Sequence, residues 1–111
     1  METRIYVDGR ITPPEEAVIP VLDHGFLFGD SVYEVFWWHR GALIQEDDHL
    51  TRLERSADRL YMDLQFTREE LVAAVQETAR DAGAGPEDDA YVRLVVTRGT
   101  GPLGLDFTTV P

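Results

Sequence analysis

Arg52 lies one turn into a stretch with helical periodicity, beside a glycine-punctuated loop running from Asp23 to Asp30. A guanidinium near the start of a helix suits bidentate binding of a dianionic phosphate. The same spacing also serves a plain surface ion pair, because Asp48 stands one turn before Arg52. On helical pattern alone the ion pair is the favoured reading. All ten basic residues are arginine and lysine is absent. Any chemistry that needs a side-chain amine, a Schiff base above all, therefore cannot be completed by these residues.

The remaining candidates are weaker. His24, His39 and His49 fall in a loop, beside a turn and in a helix, without the spacing of a metal site. Asp23 with His24 reads either as an acid–base pair or as hydrogen bonding within a turn. Gly99, Gly101 and Gly104 follow a strand as in dinucleotide-binding loops, but Pro102 and the extended LDFTTVP stand where a helix should open. A connecting loop that permits close approach fits those glycines better. No Gly-x-Ser-x-Gly elbow surrounds Ser31 or Ser56.

The elements that must position these residues are legible from period and turn chemistry. Thr3 to Val7, Asp8-Gly9 and Arg10-Ile11 read as a hairpin. Ser31 to Trp38 reads as a strand with Ser31, Tyr33, Val35 and Trp37 on one face and Val32, Glu34, Phe36 and Trp38 on the other. With aromatics on both faces, the strand is expected to be covered on both. A tight turn at Arg40-Gly41 leads to a second short strand and then to a helix opening at Asp47-Asp48. Leu50, Leu53, Ala57, Leu60 and Leu64 form that helix's core stripe, with His49, Arg52 and Ser56 along its edge. Thr67 and Glu70 form a capping box for a second helix ending near Gly83, with a stripe of Leu71, Val75, Thr78 and Ala82. A last strand, Tyr91 to Thr97, puts Tyr91, Arg93, Val95 and Thr97 on one face. The pattern predicts an α+β fold, an antiparallel-rich sheet with two helices.

Length and charge bound the function. A chain of 111 residues is one domain's worth. Its net charge of −11 argues against nucleic acid or an anionic membrane as partner. The absence of cysteine removes disulfides and thiolate chemistry. No apolar leader or membrane-length run is visible, so the cytoplasm is the expected location.

The segment DHGFLFGDSVYEVFWWHRGALIQEDDHLTRLERSADRL, followed by YVRLVVTRGTGPLGL, resembles the class IV aminotransferases, the pyridoxal 5'-phosphate (PLP) enzymes of fold type IV. The likeness runs over nearly the whole chain and corresponds to that family's N-terminal small domain, residues 1–111 here. It implies that Arg52, the arginine of the H-L-x-R-L motif, binds the PLP phosphate. It implies that Tyr33, Val35 and Trp37 line the substrate pocket, with Tyr91 and Arg93 beside it. Phe28, Leu103 and Leu105 resemble positions that reach across a homodimer interface to the neighbouring subunit's site. The family's Schiff-base lysine belongs to a C-terminal large domain, so the chain is expected to be the front portion of a longer enzyme and inactive alone.

Substrate class follows from the same comparison of residues. The arginine and histidine by which D-amino-acid aminotransferases hold the substrate carboxylate are replaced by Leu103 and Leu105. These leucines, with Phe28, Tyr33 and Val35, imply an apolar pocket, while Arg93 is suited to the distal carboxylate of glutamate. The expectation is amino-group transfer between a hydrophobic, branched-chain L-amino acid and 2-oxoglutarate. Phe28 and Trp37 depart from many branched-chain enzymes, which keeps aminodeoxychorismate lyase and D-amino-acid or amine transaminases as same-fold alternatives. A non-catalytic association domain is the alternative of another class.

Overall fold

A computed structural model describes residues 1–100 of the chain. Strands β1 (Ile5–Val7) and β2 (Arg10–Thr12) form the N-terminal hairpin, with Ile5 opposite Thr12 and Val7 opposite Arg10. Asp8 and Gly9 both take positive φ, 47° and 90°, the conformation of a two-residue turn that follows the strands' own twist. A 3₁₀ turn, Pro14–Glu16, leads towards Asp23.

The stretch from Asp23 to Asp30, expected as a loop, contains a short helix, α1 (His24–Phe28). It is capped at both ends. The Asp23 carboxylate accepts from the backbone N–H groups of Gly25 (2.7 Å) and Phe26 (3.3 Å), and Gly29 closes the other end at φ 68°. Five residues are too few to show a helical period, which is why the pattern reads as loop.

The main sheet has the order β4-β3-β5. Strand β3 (Ser31–His39) pairs antiparallel with β5 (Asp89–Thr97) along its full length, from Ser31 opposite Thr97 to His39 opposite Asp89. Strand β4 (Ala42–Ile44) returns through Arg40 and Gly41, both at positive φ, and pairs with Trp37 to His39 alone. Helices α2 (Glu46–Arg59) and α3 (Arg68–Asp81) connect β4 to β5 and pack on one face of the sheet. Helix α2 begins one residue before the expected start, with Glu46, Asp47 and Asp48 in its first turn, where the helix dipole favours negative charge. Helix α3 carries the expected capping box of Thr67 and Glu70.

Two buried clusters among the described residues bind β3 to the helices. Val32 and Phe36 of β3 meet Leu50, Leu53 and Ala57 of α2 and Leu71 and Val75 of α3. Leu60, the fourth position of the expected α2 stripe, is instead exposed, because it caps the helix end. Ala79 is buried in α3, while Ala82 lies just past the helix as its cap and is half-buried. Trp38 is buried against Ala79 and Ala84, and its indole N–H donates to the Gly85 carbonyl.

The expectation that β3 is covered on both faces is corrected. Its Val32, Glu34, Phe36 and Trp38 face is buried, whereas Tyr33 (54%), Val35 (37%) and Trp37 (37%) are exposed. Both helices occupy the same side, so within the described residues nothing is laid over the other.

Candidate functional site

Strand period places Glu34 on the buried face of β3, a carboxylate among Val32, Phe36 and Trp38. A charge there requires partners. Helix α2 supplies them, because His49 and Arg52 are three residues apart and project from the same side of the helix. Arg52 Nε donates to Glu34 Oε1 (3.1 Å) and Oε2 (2.9 Å), and its Nη2 donates to Oε1 at 2.8 Å. His49 Nδ1 lies 2.7 Å from Oε1. An ionised carboxylate only accepts, so Nδ1 carries the proton in this contact.

Burial raises the Glu34 pKa, but the hydrogen bonds from Arg52 and His49 and their charges outweigh it, and the net shift is downward from 4.5. Arg52 is correspondingly raised, chiefly by its bond to Glu34, with a smaller electrostatic effect from Tyr33. The ion pair expected from helical spacing, with Asp48, is therefore corrected: the partner is Glu34, on another element. Glu34 wins because it is only 4% exposed, while Asp48 is exposed and already hydrated. Here a buried acceptor outcompetes an exposed one.

The geometry leaves Arg52 with donors to spare. A guanidinium has five N–H groups in a planar fork. Glu34 engages the edge formed by Nε and Nη2, and Nη1 makes no hydrogen bond among the described residues. The Arg52 side chain is 67% exposed. It opens onto a groove of 390 Å³ lined by Gln45, Asp48, His49, Thr51, Arg52 and Arg55. A planar edge with free N–H groups matches two oxygens of a phosphate.

On the opposite side of β3 from the Glu34 carboxylate runs the exposed sheet face. Tyr33, Val35 and Trp37 of β3 stand directly opposite Val95, Arg93 and Tyr91 of β5. The Arg93 guanidinium lies over the Tyr33 ring at 4.4 Å to its centroid. The structure thus brings five of the candidate site residues, Tyr33, Val35, Trp37, Tyr91 and Arg93, onto one surface. Phe28 sits apart on α1, its ring edge-on to His24 at 5.0 Å. Leu103 and Leu105 lie outside the described residues.

Two anchors hold α1 beside the end of this sheet. The second Asp23 oxygen accepts from the Thr97 hydroxyl at 2.8 Å, so the carboxylate serves the turn and the sheet, in keeping with the local hydrogen-bonding reading. Gly25 approaches Thr97 so closely that a Cβ would stand 2.5 Å from its Cγ2. Buried Arg98 bonds Asp30 and the carbonyls of Leu60 and Tyr61, tying the loop to the C-terminal end of α2.

Glu34 was not among the candidate residues, and His49 was weighed only as a metal ligand. The signal for them was present: one acid interrupts an apolar strand face, and a histidine precedes the arginine by three positions.

Among known proteins, the chain is 42% identical over 103 residues to a putative branched-chain-amino-acid aminotransferase of Methanocaldococcus jannaschii, covering 93% of this chain and 35% of that protein. It is 29% identical to a D-alanine aminotransferase of Staphylococcus epidermidis, covering 98% of this chain and 38% of that protein. The crystal structure of the T.th. branched-chain amino acid aminotransferase complexed with N-(5'-phosphopyridoxyl)-L-glutamate superimposes with a TM-score of 0.80 at 30% identity, over 95% of this chain and 36% of that one. The chain thus spans little more than a third of the length of these relatives. Their shared fold is that of the fold type IV aminotransferases. The model of the family described as amino-transferase class IV matches residues 31–111, and the chain belongs to that family.

Proposed function

We propose that these residues form the N-terminal small domain of a PLP-dependent aminotransferase, in which Arg52 holds the cofactor phosphate. The observation that carries this reading is the outward edge of Arg52, immobilised from behind by Glu34 and free in front. The family membership and the phosphopyridoxyl ligand of one similar structure support the same cofactor. When bound, PLP supplies an electron sink for reaction at the carbon bearing the amino group. The covalent anchor must come from outside these residues, which contain no lysine.

What this chain contributes is binding, orientation and exclusion of water. Tyr33, Val35 and Trp37 form an apolar wall, which selects substrate side chains at about 0.8 kcal/mol per buried CH₂. Arg93 supplies a cation suited to the distal carboxylate of glutamate or 2-oxoglutarate. Resting on the Tyr33 ring, it remains available when an apolar side chain occupies the wall. One site then serves both halves of a transfer between a branched-chain L-amino acid and 2-oxoglutarate.

The exposed apolar residues of the N-terminal region support a homodimer. Val18 (77%), Val21 (69%), Phe26 (63%) and Phe28 (41%) stand in water, close together in sequence, as apolar residues of an interface do. In such a dimer Phe28 reaches the neighbouring subunit's pocket.

In the complete protein, Arg52→Ala is expected to lower PLP retention at least tenfold, read as loss of the bound-cofactor absorbance; unchanged retention refutes the phosphate assignment. Leucine-dependent formation of glutamate from 2-oxoglutarate identifies the reaction. Activity with D-alanine instead would favour the second reading, which rests on the similarity to the D-alanine aminotransferase. Release of pyruvate alone would identify the lyase.

A further inference from the structure

We infer that Glu34 is the positioning residue of the phosphate site: it fixes the guanidinium of Arg52 so that its outer edge is presented to the cofactor phosphate. The inference rests on the phosphate reading of Arg52 and adds a role for a residue that touches no ligand.

Three observations carry it. Glu34 is 4% exposed and receives three N–H···O contacts from Arg52, two of them through Nε. This side-on grip uses the inner edge of the fork and leaves the outer one, Nη1 with the second Nη2 hydrogen, for an oxyanion. His49 meets the same carboxylate from the same helix, at Oε1. The negative charge of Glu34 is therefore shared between two donors and directed inward, away from the groove.

A long arginine side chain otherwise has wide rotamer freedom, and part of it must be lost whenever a phosphate binds. Contact with Glu34 takes that loss at folding, before any ligand arrives. Glu34 also removes a competitor. Asp48 lies one turn before Arg52 and lines the same groove, at the spacing of an intrahelical ion pair. Without Glu34, Arg52 can turn to Asp48, whose carboxylate would then occupy the edge meant for the phosphate.

Glu34 carries a charge that repels phosphate, so its removal has two opposed effects. Positioning prevails because the repulsion acts across the intervening guanidinium, whereas loss of the grip changes the direction of every remaining donor. The experiment decides between them.

Binding of PLP and of unphosphorylated pyridoxal to the complete apoprotein should be titrated by absorbance for the wild type, Arg52→Ala, Glu34→Gln and the double variant. The ratio of the two affinities isolates the phosphate contribution from everything else in the site. Glu34→Gln is expected to reduce the preference for PLP by about tenfold, the scale of one charge-assisted hydrogen bond. It should leave pyridoxal affinity within about twofold, and add nothing further in the Arg52→Ala background.

Equal losses for both ligands, tighter PLP binding, or an undiminished effect without Arg52 would each overturn the inference. If Glu34→Gln lacks a cooperative melt, Glu34→Asp, which keeps the charge but shortens its reach, is expected to show the same phosphate-selective loss. Silence of a folded Glu34→Asp would then overturn it. A PLP preference untouched by Arg52→Ala refutes the phosphate site itself and this inference with it. An effect of Arg52→Ala with silent Glu34 variants refutes the inference alone.

Discussion

At the scale of single residues, Glu34 links stability to the site. The folded chain holds its carboxyl below the ordinary value of 4.5, so ionised Glu34 stabilises the fold above that pH. As the pH falls through and below 4.5 the carboxylate takes up its proton and this stabilisation is lost. Glu54, lowered by its bond to Arg68, contributes with the same sign. Only a comparison between variants isolates Glu34. Thermal melts between pH 6 and pH 3 should show a smaller fall for Glu34→Gln than for the wild type. Parallel curves would mean that Glu34 does not titrate with folding.

Residue patterns made Arg52 legible as a candidate but misassigned its partner. Helical spacing reports neighbours along one helix, so it pointed to Asp48. The partner came from β3, and only the docking of α2 on the sheet brings it within reach. The strand alternation had already placed Glu34 on the inner face. A lone acid among Val32, Phe36 and Trp38 has no stable place there without a cation.

At the scale of elements, the strands, hairpin turns and two long helices were readable because their periods and caps are local properties. Helix α1 was not, since five residues show no period, and its further anchor, the Asp23–Thr97 bond, joins positions 74 apart in sequence. Gly25 marks where these two segments touch. A methyl group at position 25 would stand 2.5 Å from Thr97 Cγ2 and 2.8 Å from its Cβ. Gly25→Ala should therefore destabilise the fold by about 1–3 kcal/mol, as overpacking does. Thr97→Ser, which removes Cγ2 but keeps the hydroxyl for Asp23, should recover part of that loss. Chemical denaturation of the two single variants and the double variant measures the coupling, and additive effects would show that the contact does not matter.

The coverage of β3 is a misreading of another kind. Aromatic residues stand on both faces, but within the described residues α2 and α3 cover only one of them. Strand alternation shows which residues share a face and carries no information about what covers it.

At the scale of the whole molecule, two groups of exposed apolar residues bear on function. One is the sheet face of Tyr33, Val35, Trp37, Tyr91 and Val95, and the other is the apolar N-terminal segment with α1. If the second pairs subunits, Phe26→Glu should convert the complete protein to a monomer by sedimentation velocity. Phe26 is 63% exposed and outside the core, so its replacement leaves the packing of one subunit intact. A dimer that survives Phe26→Glu would place the interface elsewhere.

The clasp between Asp23 and Thr97 also bears on how the molecule opens. The cap of α1 and the end of β5 share one carboxylate, so the docked form of α1 and the end of β5 stabilise each other. The segment carrying Phe28 is consequently coupled to the end of β5, and the two are expected to open together. Amide protons at Gly25 and Phe26 should exchange with deuterium in step with those of the final strand, although sequence puts them close to the beginning of the chain.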